Sequence, residues 1–451
     1  MRTDHTTNRL ETWMTTALLR VRRVSGHAIG RALLALALAA TAGCSTDRIL
    51  KVTRPDIIDP GALNNTGGLN AIYAGVVGDV SNTFAGTLGV IANVGLISDE
   101  LRFGATPPEI RQIDQRDAPE SNTLLAGVYR QVQQLRGQAD RAATALKAAK
   151  AGDTRIGEME AVSALAHVLL GEMFCSGVPL SQPGQDGDPQ TTAAVFTAAA
   201  AKAATAITNS GSDARAKNLA SIARGRALLD LGQFDAAASA VAAVPTSYSY
   251  TTLHALTTDY QKNGLSDYMN NYDGLLVSDR EGTNGLNYAT ADDPRVPVKG
   301  DGSPSRFDTQ TPRWYAVNAA NLDSPMPIAT GIEARLIEAE AALRANNTAL
   351  WLQKLNAARA PFEMSNLTDP GSQNARVDLM FRERAFGLFL SGHRLGDLRR
   401  LVRQYSRGAE TVYPTGAYHK DGLSLGKDVQ FIIPGTEKNN PKFTGCLDRN
   451  A

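Results

Sequence analysis

Apolar residues recur at helical spacing over most of this 451-residue chain, and one long internal window breaks that spacing. Leu124, Val128, Gln131 and Leu135 set one face of a predicted helix over 122–151. Ile332, Leu336, Ala339 and Leu343 set another from 332 onward. A stripe at i, i+4, i+7 and i+11 buries one side of a helix against a neighbour. Glu340 is spaced to pair with Arg344 on the second of these helices. Further helices are expected over 69–80, 87–101, 192–208, 214–231, 350–360, 377–391 and 395–404. One more, capped by Asp153 or Thr154, is expected to run to about 174. Such a chain is expected to be mostly all-α.

Residues 222–245 have a finer grain. Gly225, Gly232, Phe234 and Ala237 fall at spacings resembling a tetratricopeptide repeat, in which small residues let two helices approach and an aromatic fills the gap. Pro245 arrives earlier than that repeat expects. Helical pairs flank the match on both sides, and such repeats bury their faces only against neighbours. Residues 61–246 are therefore read as an N-terminal scaffold of tetratricopeptide-like pairs.

Between 247 and 330 the helical period fades, and Gly, Asn, Asp and Pro accumulate. Seven of the twelve tyrosines fall here: Tyr248, Tyr250, Tyr260, Tyr268, Tyr272, Tyr288 and Tyr315. Trp314 stands beside the last. Loops held on a rigid scaffold are where binding residues concentrate, so the window is read as the ligand-binding region. Trp314 and Tyr315 lead the candidates, followed by Tyr288 and Tyr272, with Arg102 and Phe103 from an early loop. About half of the window's rings are expected to pack on the scaffold instead. Residues 331–451 return to helices and end in an irregular tail.

The N-terminus determines where the chain is sent. Arg20, Arg22, Arg23 and Arg31 precede a short apolar run over 32–42, too short to cross the ~30 Å hydrocarbon core as a helix. Residues 1–43 are read as a cleaved leader and 44–60 as a tether. The small residues Thr41, Ala42 and Gly43 before Cys44 resemble a bacterial lipobox, whose cysteine carries the acyl chains; Thr41 stands where Leu is usual. An ordinary secretory signal with an incidental cysteine is the alternative, and both export the chain. Six Arg against Asp4 and Glu11 give the leader +4, so the chain's net +1 becomes −3 once it is removed. That balance asks for no nucleic acid, and no polybasic run remains to grip anionic lipid. No second apolar stretch looks long enough to span a bilayer.

Outside the cytoplasm, Cys175 and Cys446 can form a disulfide between the middle of the chain and its tail; one buried and one free thiol is the alternative. No Cys/His cluster supports a metal, and the loop 270–273 lacks the spacing of a calcium-binding hand. No nucleophile elbow, zinc-binding HExxH, P-loop or dinucleotide fingerprint is present. The neighbouring acids Asp99 and Glu100, or Asp292 and Asp293, do not make a glycosidase pair, because adjacent side chains point apart. The chain is therefore read as no enzyme and as needing no cofactor beyond the lipid on Cys44.

Residues 331–441 carry a more specific resemblance. The segment EARLIEAEAALRA at 333–345 is followed by Leu355, Asn356, Ala357, Ala358 and Arg359. Then comes RERAFGLFLSGHRLGDLRR at 382–400, with Leu395 at a usually aromatic position and Ser391 where Glu is frequent. Tyr413-Pro414-Thr415-Gly416, then Phe431-Ile432-Ile433-Pro434, Glu437 and Asn440-Pro441 follow. Upstream stand Asp293-Pro294-Arg295 and Ser98-Asp99-Glu100. Together these resemble the SusD/RagB family of outer-membrane nutrient-uptake lipoproteins.

The resemblance implies a SusD-like fold, a tetratricopeptide-like helical-pair scaffold with a loop-rich ligand-binding half. It also implies a lipid-anchored protein at the cell surface that binds an oligosaccharide or other oligomeric nutrient and delivers it to a TonB-dependent, SusC-like barrel. A lipid-anchored scaffold protein of an envelope assembly, with no small ligand, is the competing reading. The charges of the 382–400 segment are expected to lock a helix–glycine–helix corner, with Gly392 turning it and Asp397 capping or pairing across it, rather than to place His393 and Asp397 as an acid–base pair.

Overall fold

Apolar and small residues recur all round Arg155–Met173, and its polar side chains Glu158, Glu160, His167 and Glu172 are buried with them, so the helix is packed on every side. In a computed structural model of the chain, which describes residues 65–451 other than Pro183, each of its residues from Ile156 to Met173 is buried. Small residues make that possible. A Cβ on Gly157 would lie 2.5 Å from the backbone of Ser210, and one on Gly171 would lie 2.6 Å from the ring of Phe196. Leader, tether and Cys44 lie outside the described residues.

Ahead of it come α1 (Thr66–Ala85), α2 (Val90–Ile97), strand β1 (Leu101–Phe103), α3 (Pro108–Asp114) and α4 (Thr123–Ala149). The central helix is α5. After it come β2 (Val178–Pro179), β3 (Pro189–Gln190), α6 (Thr192–Asn209), α7 (Ala214–Asp230) and α8 (Phe234–Val241). Each of α4 to α8 packs on the next, and α5 also touches α7. Side-chain oxygens start the helices: Asn122 Oδ1 accepts from the amides of Leu124 and Leu125, and Asp213 Oδ1 from that of Ala216. The tetratricopeptide-like grain is real geometry at one place. A Cβ on Gly225 would come within 2.5 Å of Val241 Cγ1, so only glycine lets α7 and α8 touch there.

Two expectations fail in the first hundred residues. The predicted helix over 87–101 is shorter: α2 stops at Ile97, where Ser98 Oγ bonds back to Val94 O at 2.7 Å, and Leu101 opens a strand. Thr66–Ile97 is also long and apolar enough to span a bilayer by length and composition, contrary to the sequence reading. It is nevertheless broken between α1 and α2, and 78% of its apolar window is buried inside the fold.

The loop window contains β4 (Ser249–Thr251), α9 (Gly264–Asn270), β5 (Leu275–Val277), β6 (Val298–Lys299), β7 (Tyr315–Ala316) and β8 (Pro327–Thr330). Its base is closed by the antiparallel pair β4–β8, with Ser249 opposite Thr330. Inside it, β5 pairs with β1 and β6 with β7. Helices α10 (Gly331–Arg344), α11 (Thr348–Arg359), α12 (Gln373–Gly387), α13 (Arg394–Tyr405) and α14 (Ala409–Val412) complete the chain. Helix α10 packs on α8, α11 and α12, carrying the scaffold on from the first half.

The charges of 382–400 lock this second half. Arg384 meets Asp397 with two bonds of 2.9 Å, and Arg400 reaches Asp397 at 3.0 Å and Glu340 at 2.9 Å, all of them buried. Glu340 therefore serves Arg400 and the hydroxyl of Tyr405, 3.0 Å away, and not Arg344, whose guanidinium lies over the rings of Phe234 and Tyr405. Arg394 binds Asp99 at 2.6 and 3.0 Å, tying α13 to the turn after α2. Arg399 donates to the carbonyls of Gly171 and Glu172, both at 2.7 Å, and so closes the C-terminal end of α5. Gly392 takes φ +77° at the corner. His393 has no part in an acid–base pair with Asp397. Its Nε2 lies 2.9 Å from Glu333 and its Nδ1 2.8 Å from Ser391 Oγ, fully buried.

The tail returns to the end of α5. Phe431 bonds the backbone on both sides of Phe174, and Cys446 is disulfide-bonded to Cys175, with their Cα atoms 5.7 Å apart.

Candidate ligand-binding face

Asp273 organises the exposed part of the loop window. It follows α9 with φ +45° and is itself buried. Its carboxylate accepts from Arg306 Nη2 at 2.8 Å, Nε at 2.9 Å and the Arg306 amide at 3.0 Å, and from the Tyr315 hydroxyl at 2.8 Å. Burial works against the charge, but these donors hold the carboxyl down to about 2. Arg306 also reaches the carbonyls of Asn270 and Asn271, at 3.2 and 3.4 Å. Three separate segments, 270–273, 305–307 and 314–315, are thereby drawn to one carboxylate.

Each segment carries an aromatic ring that is not fully buried. Tyr272 is 50% exposed and tilts against Tyr268, with ring centroids 6.1 Å apart; Phe307 is 51% exposed. Tyr315 is partly exposed, and Lys299 Nζ lies 6.0 Å from its ring centroid. Trp314 is partly exposed and lies over Gly302, where a Cβ would meet the indole at 3.1 Å. The loop that carries Phe307 is braced from below. Ser305 Oγ donates to Gly104 O at 2.6 Å, and Lys420 donates to Asp308 at 2.8 Å and to Ala105 O at 2.8 Å. Rings held this way lose little freedom on contact, which favours stacking on an apolar face of a ligand. A neighbouring cleft of about 360 Å³, lined by Thr290, Asp292, Pro297 and Val298 among others, opens in the same window beside β6.

Three of the six candidate contact residues are displaced from this role. Tyr288 is 1% exposed and sits between Phe386 and Phe389, at centroid distances of 5.1 and 5.2 Å. It is core, worth about 2 kcal/mol in burial. Phe103 is fully buried, with the Lys420 ammonium 4.6 Å from its ring. Arg102, on the same strand, is ion-paired with Glu281 and leaves little surface to a ligand. Beneath β1 lies a buried cluster in which Asp114 accepts from the Tyr418 hydroxyl at 2.5 Å and the Phe103 amide at 2.9 Å. Burial lifts the Asp114 carboxyl to about 6 against the pull of His419.

Sequence reasoning missed Phe307, Arg306 and Asp273. A phenylalanine inside a Gly-, Ser- and Asp-rich stretch, 302–311, was the available sign. Tyr260, 57% exposed and bonded to Asp79 at 2.8 Å, was counted in the window but not singled out. Of the remaining tyrosines, Tyr250 is buried with its hydroxyl on Glu158 at 2.8 Å, and Tyr248 bonds Arg215 O.

Three of the four acids considered for catalysis have other occupations, and Asp292 is exposed in the lining of the cleft beside β6. Asp99 is held by Arg394, and Asp293 by Arg295, which also bonds Glu383 at 2.6 Å. Glu100 is buried against the Leu390 amide and pushed up to about 8 by burial and by Asp99.

No protein-family model matches the chain, and no curated protein matches it. Solved structures do. A SusD superfamily protein from Bacteroides thetaiotaomicron aligns with TM-score 0.65 at 13% identity, over 85% of this chain and 99% of that one. The chain has a SusD-like fold. A SusD-like carbohydrate-binding protein from Bacteroides fragilis gives TM-score 0.63 at 13% identity, again over 85% and 99%. Another from Bacteroides vulgatus gives 0.62 at 14%, over 84% and 97%. The SusD-like fold thus spans the described scaffold and loop window together.

Proposed function

We propose that this chain captures a carbohydrate from outside the cell and passes it, unreacted, to a TonB-dependent barrel in the outer membrane. The observation that carries the reading is the set of partly exposed rings, Tyr272, Phe307, Trp314 and Tyr315, whose three segments are tied together at Asp273. Sugars present an apolar face to such rings and hydroxyls to the amides, arginines and carboxylates around them. The description of two structural neighbours as carbohydrate-binding supports the same ligand class. An acyl anchor on Cys44 would hold the protein beside its barrel and keep a weak binder at high effective concentration.

Calorimetric titration with a panel of neutral oligosaccharides tests the capture step. Saturable heat with no release of reducing ends, weakened by Phe307→Ala and Trp314→Ala, is the expected result. Release of reducing ends would assign an enzyme. Silence across the panel would favour a structural envelope protein. Co-purification of a barrel from the outer membrane, lost with Cys44→Ser, tests the delivery step.

A further inference from the structure

Almost every buried arginine of this protein faces a carboxylate. Arg226 has Glu172, Arg295 has Asp293 and Glu383, Arg384 has Asp397, Arg394 has Asp99, and Arg400 has Glu340. Arg399 has none among the described residues but bonds a set of backbone carbonyls. Arg136, on α4, is different. It is only 3% exposed, its bonds go to neutral oxygens of Gln133, at 2.9 Å, and Ser181, and no carboxylate lies within ion-pair distance among the described residues. Burying a guanidinium without a counter-charge is costly, and the position calls for an anion from elsewhere.

Arg136 lines a cavity of about 450 Å³ between α4, the Ser181–Gln182 turn and the Thr436–Glu437 turn. The volume falls within the roughly 300–1,000 Å³ of small-molecule sites. Two exposed arginines share its wall. Arg130 follows Tyr129 directly and stands about one turn before Gln133, and Arg141 folds back so that its Nη1 lies 3.6 Å from where a Cβ on Gly137 would be. Neither makes an ion pair among the described residues. Asp140, the acid closest in sequence, is occupied by Lys202 at 2.8 Å. The one acid in the wall among the described residues is Glu437, beside the Tyr129 hydroxyl; burial and Asp186 raise its carboxyl above the usual range. Three guanidiniums against one carboxyl give a site that favours an anion of low charge. Planar guanidiniums match a carboxylate with paired N–H donors, and the amides of Gln134 and Gln182 suit hydroxyls beside it.

We propose that this cavity is a second binding site, taking a small hydroxylated carboxylate of the uronic-acid type through Arg130, Arg136 and Arg141. It shares no residue with the aromatic face, so its truth does not depend on that face binding sugars.

The test titrates the full chain with D-galacturonate, with D-galactose as the neutral counterpart and with sulfate, at low and high sodium chloride. Galacturonate should bind saturably and at least tenfold more tightly than galactose, and should weaken with salt. Arg130→Gln combined with Arg141→Gln, both on the surface, should lower galacturonate affinity at least tenfold without changing the melting temperature. Arg136→Met should abolish binding, and Trp314→Ala should leave it unchanged. Galacturonate no tighter than galactose, or unaffected by the double surface variant, overturns the proposal. Sulfate as tight as galacturonate overturns the carboxylate assignment. Loss of galacturonate binding in Trp314→Ala would relocate it to the aromatic face. Failure of neutral oligosaccharides to bind bears on the aromatic face alone.

Discussion

Replacing Asp397 by Asn takes one negative charge from a pocket where it serves two arginines. Wild-type Asp397 accepts from Arg384 Nε and Nη2 at 2.9 Å and from Arg400 at 3.0 Å, and all three side chains are at most 2% exposed. In the variant one oxygen becomes an amide nitrogen that faces guanidinium donors. Glu340, 2.9 Å from Arg400 and 3.8 Å from Arg384, is left as the main counter-charge for both. Removing one partner of a buried pair costs about 3–5 kcal/mol, since the charge left behind stays out of water. The same group gives an independent pH signature. Burial opposes its charge, but Arg384 and Arg400 hold the carboxyl down to about 2, below the usual 3.8. A lowered folded-state pKa stabilises fully above the unfolded value, and that contribution is lost as pH falls from about 4 through about 2. The shift corresponds to roughly 2 kcal/mol. Urea unfolding followed by circular dichroism at pH 7 should show the variant about 3–5 kcal/mol less stable. The gap should narrow by roughly 2 kcal/mol between pH 4 and pH 2. Adding Arg384→Met should recover part of the loss by removing the stranded charge. A gap below about 1 kcal/mol at pH 7, or one that does not change with pH, would refute the locking role of this segment.

Cys175→Ser with Cys446→Ser opens a bond that closes a loop of 271 residues, and should lower stability by at most about 5 kcal/mol in thermal melts, matched by reduction of the wild type. Phe307→Ala should weaken oligosaccharide binding about fivefold, roughly 1 kcal/mol, with the melting temperature unmoved because the ring is half exposed. Tyr288→Ala should do the reverse, losing about 3–5 kcal/mol of stability as a core ring is deleted. Gly225→Val should destabilise by about 1–3 kcal/mol or more, because even a Cβ there meets Val241 at 2.5 Å, and the loss should show in the urea midpoint.

The helices were legible because their period is a local property. The predicted 122–151, 192–208 and 214–231 correspond to Thr123–Ala149, Thr192–Asn209 and Ala214–Asp230. The helix over 87–101 was overextended because Leu101 is buried either way, and only its pairing opposite Val277, far along the chain, makes it a strand. The aromatic window was legible as composition, whereas the fate of each ring was not. Tyr288 turns inward because Phe386 and Phe389 from a distant helix flank it, while Phe307 stays outward because Ser305, Asp308 and Thr311 pin the loop beneath it. Glu340 likewise has an intrahelical partner at the right spacing, yet Arg400 reaches it across sixty residues of chain.

The short pair β4–β8 brings the two ends of the loop window side by side, Ser249 against Thr330. A segment that leaves and re-enters a scaffold at neighbouring points behaves as an exchangeable cassette. Lengthening it or rewriting its rings transmits little strain to the helices, because the clasp absorbs the change at its base. On the proposed capture reading, ligand preference can then drift at the speed of surface loops while the buried arginine–carboxylate lattice holds the architecture still. For engineering, the clasp marks where one window could be excised and another grafted.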